Sequence, residues 1–155
     1  MTEKKAIVYV DMDHVLCDYA AGFVSHKAKY PALAFPQSKP GLYENLDPIP
    51  DAIESYTWLH EHPKLDVYIL TAPSIKNPHS YAEKRIWVEK YLGMAVVENL
   101  IISPHKHLNK GDYLIDDMPS GQGQNNFEGQ LILFGSEEFP DWSSVTRYFK
   151  CKIES

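Results

Sequence analysis

The chain has 155 residues, 44% of them hydrophobic, and a formal net charge of −6. That length suits one domain able to bury roughly two thirds of its unfolded surface, and the acidic balance excludes a nucleic-acid polymer held over a broad surface, which needs clustered Lys and Arg. The two cysteines, Cys17 and Cys151, form no Cys-x-x-Cys pattern, no apolar run reaches membrane-spanning length, and residues 1–5 leave no room for a signal peptide, so a reduced cytoplasmic setting away from membranes is expected.

Residues 5–10 are an apolar, β-branched run that stops at Asp11-Met12-Asp13. The pattern predicts a buried parallel strand that delivers two carboxylates to its C-terminal end, where open α/β sheets place their ligands. Residues 18–30 carry Tyr19, Ala20, Phe23, Val24 and Tyr30 at helical spacing, with Gly22 as a weak point. Prolines at 31, 36, 40, 48 and 50 then break regular structure, while Leu33, Phe35, Leu42, Tyr43 and Leu46 supply apolar anchors. A small irregular cap is expected within residues 19–50. Pro50-Asp51 opens a helix that runs to His62-Pro63. Residues 65–71 form a second buried strand ending in Thr71, and residues 80–91 a helix with Trp87 and Val88 inward, stopped by Gly93. Residues 100–103 are a short third strand, and residues 113–117 a fourth that again ends in acid. The glycine-rich stretch 120–129 is expected to be mobile, ahead of a fifth strand at 130–135 and a closing helix at 141–149. Strands alternating with helices give an α/β class: a Rossmann-like, mostly parallel sheet with helices on both faces, the small cap inserted after the first strand, in a single domain over residues 1–155.

Taken singly, the polar strand ends have ordinary explanations. Asp11 and Asp13 can cap a helix, Thr71 can be a plain strand residue, Lys106 a solvated lysine, and Asp116-Asp117 a turn signal. Their joint placement changes this, because strand ends and the loop carrying Lys106 converge on one sheet edge. Four carboxylates there, Asp11, Asp13, Asp116 and Asp117, raise one another's pKa unless a cation neutralises them. Hard oxygen ligands suit Mg²⁺. With the charge balanced, one carboxylate attacks phosphorus, another protonates the leaving oxygen, and Thr71, backbone N–H groups and Lys106 hold the equatorial oxygens. A transition-metal site built from His14, His105 and His107 is disfavoured, since the carboxylates select a hard ion and residues flanking Lys106 point away from it.

The order Asp-Met-Asp-x-Val-Leu, Leu-Thr-Ala-Pro, Ser-Pro-His-Lys and Leu-Ile-Asp-Asp resembles the haloacid dehalogenase superfamily of phosphohydrolases. Within it, residues 11–19, 47–50, 83–93 and 112–117 are similar to the 5'(3')-deoxyribonucleotidases. The resemblance implies a phospho-aspartate on Asp11, acid/base work by Asp13, and Mg²⁺ held by Asp11, the Asp13 backbone carbonyl and Asp116. It also implies phosphate contacts from Thr71, Ala72 and Lys106, a supporting role for Asp117, and Tyr19 lining the nucleoside pocket. His14, Phe35 and Tyr43 complete the expected substrate pocket, where Phe23, Phe35 and Tyr43 can stack on a base or simply pack the cap. His14 stands where glycine is common, Ala72 where animal members carry serine and Pro104 where they carry arginine, and the cap is shorter. The expected substrate is a small phosphomonoester, a (deoxy)nucleoside 5'-monophosphate before a sugar phosphate, and a homodimer is allowed. A receiver-type phospho-acceptor domain shares the acidic cluster, Thr and Lys, but places its acid pair on the first strand and the phosphorylated Asp later.

Overall fold

The computed structural model describes residues 3–154, so Met1 and Thr2 of the expected polar start lie outside the described residues. Five strands, β1 (Ala6–Val10), β2 (Leu65–Thr71), β3 (Leu100–Ile102), β4 (Tyr113–Asp116) and β5 (Gln130–Leu133), form one all-parallel sheet in the order β3-β2-β1-β4-β5. The central strand is the first in sequence. Val10 registers with Ile69 of β2 on one side and Ile115 of β4 on the other, so Asp11 lies level with the start of the acid pair.

The helices are α1 (Tyr19–Lys29), α2 (Ala52–Glu61), α3 (His79–Leu92), α4 (Met94–Val97) and α5 (Trp142–Glu154). Asp18 caps α1 by accepting from the Ala21 N–H at 3.1 Å, and His26, Lys27 and Lys29 oppose the dipole in its last turn. Gly93, at φ 88°, ends α3 by donating to the carbonyls of Val88 and Glu89, both at 3.1 Å. The short α4 was not legible, because four residues carry too little period. The closing helix runs five residues past the expected end, to Glu154.

Alternation splits the sheet into two faces. Val8, Val10, Val67 and Ile69 meet Tyr56 and Leu59 of α2, Trp87 and Val88 of α3, and Trp142, Val145 and Phe149 of α5 in the main core. The opposite face holds Tyr9, Leu70, Leu114 and Phe127, with Ile7, Tyr68, Ile101 and Leu131 partly buried around them. The expectation of helices on both faces is corrected here: no helical residue enters this second cluster. The connections before β4 and β5 carry 3₁₀ turns, Lys106–Leu108 and Gln124–Asn126, in place of α-helices, and the second supplies Phe127 as cover.

Residues 19–50 fold as α1 followed by two 3₁₀ turns, Pro36–Ser38 and Tyr43–Asn45. Helix α3 is their platform. The Trp87 indole donates to Leu46 O at 2.8 Å, and the Glu83 carboxylate accepts from the Gly41 N–H. Gly22 is a point of close approach, since a Cβ there would lie 2.1 Å from a methyl of Leu46. No helix among the described residues is long and apolar enough to cross a membrane.

Candidate active site

Beyond Val10 the chain leaves the sheet in a tight loop. Asp11 donates its N–H to Ile115 O at 2.9 Å, and the Met12 carbonyl accepts from the amides of Val15, Leu16 and Cys17 at 3.1, 2.8 and 2.9 Å. Val15, Leu16 and Cys17 are fully buried beneath the loop, and burial pushes the Cys17 thiol up. The Trp142 indole of α5 clamps the loop by donating to Val15 O at 2.8 Å. This leaves Asp11, Asp13 and His14 facing a cleft of about 240 Å³, together with Tyr19, Ala72, Asp117, Met118 and Gln122. His14 adopts φ 65°, a left-handed conformation disfavoured for side-chain-bearing residues, at the position where glycine is common in the resembled family. A larger hollow of about 580 Å³ lies at the N-terminal ends of the strands and contains none of the carboxylates.

Oxygens of Asp11, Asp116 and Asp117 lie within 4.8 Å of one another. Two buried ammonium groups answer them. Lys106, in a 3₁₀ turn ahead of β4, reaches Asp11 Oδ1 at 3.0 Å and Asp116 Oδ2 at hydrogen-bond distance. Lys84, from α3, donates to Asp13 Oδ2 at 3.0 Å and to Thr71 Oγ1 at 2.7 Å. Four carboxylates facing two ammonium groups leave two formal negative charges, which one divalent cation balances.

The protonation behaviour follows from that crowding. Burial holds the Asp11 carboxyl well above the usual carboxylate range; Lys106 opposes the shift, and Asp116 and Asp13 add to it. Asp117 is raised by burial and then by the Asp116 charge. For Lys106, burial acts to lower the ammonium's pKa, but Asp11 and Asp116 outweigh it and the net shift is upward. The clustered oxygens and the unbalanced charge are the donor chemistry of a hard divalent ion, and Asp11, Asp116 and Asp117 fit Mg²⁺.

Thr71, Lys106 and Asp116 are each fully buried just behind the cleft wall formed by Ala72 and Asp117. Tyr19 lines the cleft, with its ring against His14 at 5.3 Å, Phe23 at 6.0 Å and Tyr43 at 6.0 Å between centroids. Tyr43 stands behind it, buried, with its hydroxyl pushed up to about 12 by burial and then by Asp13. Phe35 is not brought to the cleft, a correction to the expected pocket: its ring is half-exposed beside Pro36, with the Lys76 ammonium 3.7 Å from its centroid. The 120–129 stretch, expected to be mobile, is pinned at Gln122 and Gln124. Gln122 O accepts from the Lys106 N–H at 2.9 Å, and the buried Gln124 amide lies 3.4 Å from Asp116 Oδ2.

Lys84 was missed as a site residue. In the sequence it reads as one helical position among Tyr81, Val88 and Tyr91, yet Tyr81 is exposed and Lys84 is not. The available signal was a lysine on the face that also carries Trp87 and Val88.

An all-parallel sheet whose central first strand ends in Asp-x-Asp, flanked by a strand ending in an acid pair, defines a hydrolase of the haloacid dehalogenase class. The sequence comparisons narrow this. Residues 28–147 match the family described as 5' nucleotidase, deoxy (pyrimidine), cytosolic type C, and the chain belongs to it. A "Putative 5'(3')-deoxyribonucleotidase" of Vibrio phage KVP40 is 43% identical over 148 residues, covering 93% of this chain and 84% of the relative. The human cytosolic-type 5'(3')-deoxyribonucleotidase is 30% identical over 167 residues, covering 89% of this chain and 77% of the human one. A Bordetella pertussis relative with the same name as the phage protein is 30% identical, covering 73% of this chain and 74% of its own.

Proposed function

We propose that this protein hydrolyses (deoxy)nucleoside 5'-monophosphates to nucleoside and phosphate. The observation that carries the proposal is the convergence of the Asp11, Asp116 and Asp117 oxygens within 4.8 Å at the end of the central strand, beside a cleft lined by Tyr19 and His14. Asp11 is the nucleophile. One of its oxygens attacks phosphorus, the bond from phosphorus to the ester oxygen breaks, and Asp13 gives its proton to the departing oxygen. Asp13 then takes a proton from water as that water attacks the phospho-aspartate, releasing phosphate and restoring Asp11. Thr71 and the Ala72 N–H hold the equatorial oxygens, while Lys106 neutralises Asp11 and Asp116 behind them.

Asp11, Asp116 and the Asp13 backbone carbonyl, with Asp117 in support, would hold Mg²⁺, which would supply the charge balance that lets a phosphate dianion enter this acidic cleft. Tyr19 and His14 give the base an aromatic wall. The cytoplasm is the proposed setting, in keeping with two unpaired cysteines, Cys17 buried and Cys151 exposed. Phosphate release from a panel of nucleoside monophosphates and sugar phosphates, with Mg²⁺ and with EDTA, tests the proposal. Metal-dependent release from deoxynucleotides is expected; release from sugar phosphates alone, or release that survives EDTA, refutes it.

A further inference from the structure

Lys84 is fully buried in α3, and its Nζ ends between two site residues, Asp13 at 3.0 Å and Thr71 at 2.7 Å. Asp13 Oδ1 is buried with no hydrogen-bond partner, so the bond from Lys84 to Oδ2 is the one that fixes this carboxylate. The lysine is itself held on a third side, its ammonium 5.0 Å from the Tyr43 ring centroid. It does not line the cleft. Lys84 therefore acts on substrate only through Asp13 and Thr71, which stand on different elements and do opposite jobs, one toward the leaving group and one toward the phosphate.

We infer that Lys84 is a positioning residue: it holds the Asp13 carboxylate in place for proton transfer to the leaving oxygen and registers that carboxylate against Thr71. The inference rests on the acid/base role proposed for Asp13. A purely structural ion pair is a weak explanation of the same geometry, because apolar side chains of similar volume commonly replace buried pairs without loss of stability. A direct clamp on phosphate is a weak explanation too, because the ammonium is already taken up by Asp13 and Thr71.

The leaving group separates these roles. An alkoxide such as a nucleoside 5'-oxygen needs a proton as it departs; 4-nitrophenolate does not. The value of kcat/KM reports steps up to phospho-enzyme formation, so it isolates the acid's contribution from the later hydrolysis. Wild type, Lys84→Met, Lys84→Gln, Lys84→Arg and Asp13→Asn are compared on a nucleoside monophosphate and on 4-nitrophenyl phosphate, after thermal melts establish folding. Lys84→Met is expected to lose roughly 10²-fold or more on the nucleotide and less than about tenfold on the aryl ester, the scale of a displaced general acid. Lys84→Arg should recover part of the loss. Asp13→Asn is the reference for the acid role itself. If it loses equally on both esters, the underlying assignment of Asp13 fails. If it discriminates between them and Lys84→Met loses equally on both or on neither, the positioning role alone fails. Failure of both Lys84→Met and Lys84→Gln to fold would make Lys84 a structural cation and overturn the inference.

Discussion

Asp11→Asn keeps the shape of the side chain and removes its charge, so it separates the nucleophile from the fold. Turnover should fall by at least about 10⁴-fold, the scale seen when a nucleophile is deleted elsewhere. Stability should move the other way. Asp11 is buried and its carboxyl is held above the usual range, chiefly by burial. Above a pH of about 4 an unfolded carboxyl has ionised, whereas the folded one still holds its proton. Unfolding then releases a proton, so rising pH favours the unfolded chain, from about 4 up to the raised pKa. One carboxylate contributes up to about 1.4 kcal/mol per pH unit across that window, or roughly 3–6 °C of Tm for a chain of this size. In EDTA, the wild-type melting temperature should therefore fall more steeply with pH than that of Asp11→Asn, and the variant should be the more stable protein at the alkaline end. Lys106 is not orphaned in the variant, since Asp116 remains its partner. Mg²⁺ should flatten the wild-type curve and leave the variant nearly unmoved. Differential scanning calorimetry between pH 5 and 8 reads all of this. Parallel curves for the two proteins, or more than about 1% residual turnover, would refute the reasoning.

Lys106→Met leaves Asp11 and Asp116 buried without their cation, and should destabilise the fold by about 3–5 kcal/mol near neutral pH; urea unfolding should show the deficit shrinking as acid protonates the carboxyls. Trp142→Phe removes the indole donor to Val15 O beneath the nucleophile loop, with an expected loss of about 1–3 kcal/mol in chemical denaturation and slower turnover. Tyr19→Leu takes away the aromatic wall while touching none of the clustered carboxylates; KM for nucleoside monophosphates should rise roughly two- to twelvefold, the worth of one aromatic contact, with little change for a small alkyl phosphate in the same kinetic assay.

The strands were legible because each is a short apolar run, and four of the five, all but β5, stop at a polar residue; β2 begins and ends where its pattern does. Asp11, Thr71 and Asp116 were legible for the same reason: they are those stops. What escaped depends on three-dimensional neighbours that no local pattern encodes. Lys84 sits on a helix whose apolar period is weak, and only the approach of α3 to the end of β2 turns a helical lysine into the partner of Asp13 and Thr71. The covering of the second face by loops rather than helices escaped because the connections before β4 and β5 look like any others until the sheet order is known. Gly22 read as a weak helix position, whereas its missing Cβ is what lets Leu46 approach.

The sheet order explains why the chemistry gathers where it does. From β1 the chain passes to β2 and β3 on one side, then returns to β4 and β5 on the other. A crevice opens at the carboxyl ends of strands where connections depart in opposite directions, which here is between β1 and β4. Asp11 and Asp116 are the residues that end, or directly follow, those two strands, and the Asp11 N–H bonded to Ile115 O fixes their separation through the backbone rather than through side chains. Held that close, the two carboxylates cannot relax apart. The fold can accommodate them only by burying Lys106 against both, and the remaining charge is left for a cation that arrives from outside. Thr71 and Ala72, at the end of β2 on the other flank, extend the same edge toward the ester oxygen. The central strand sets Asp11 between an acidic neighbour, Asp116 ending β4, and a hydroxyl-bearing one, Thr71 ending β2, so the first strand of the sequence is also the one around which the proposed catalysis is built.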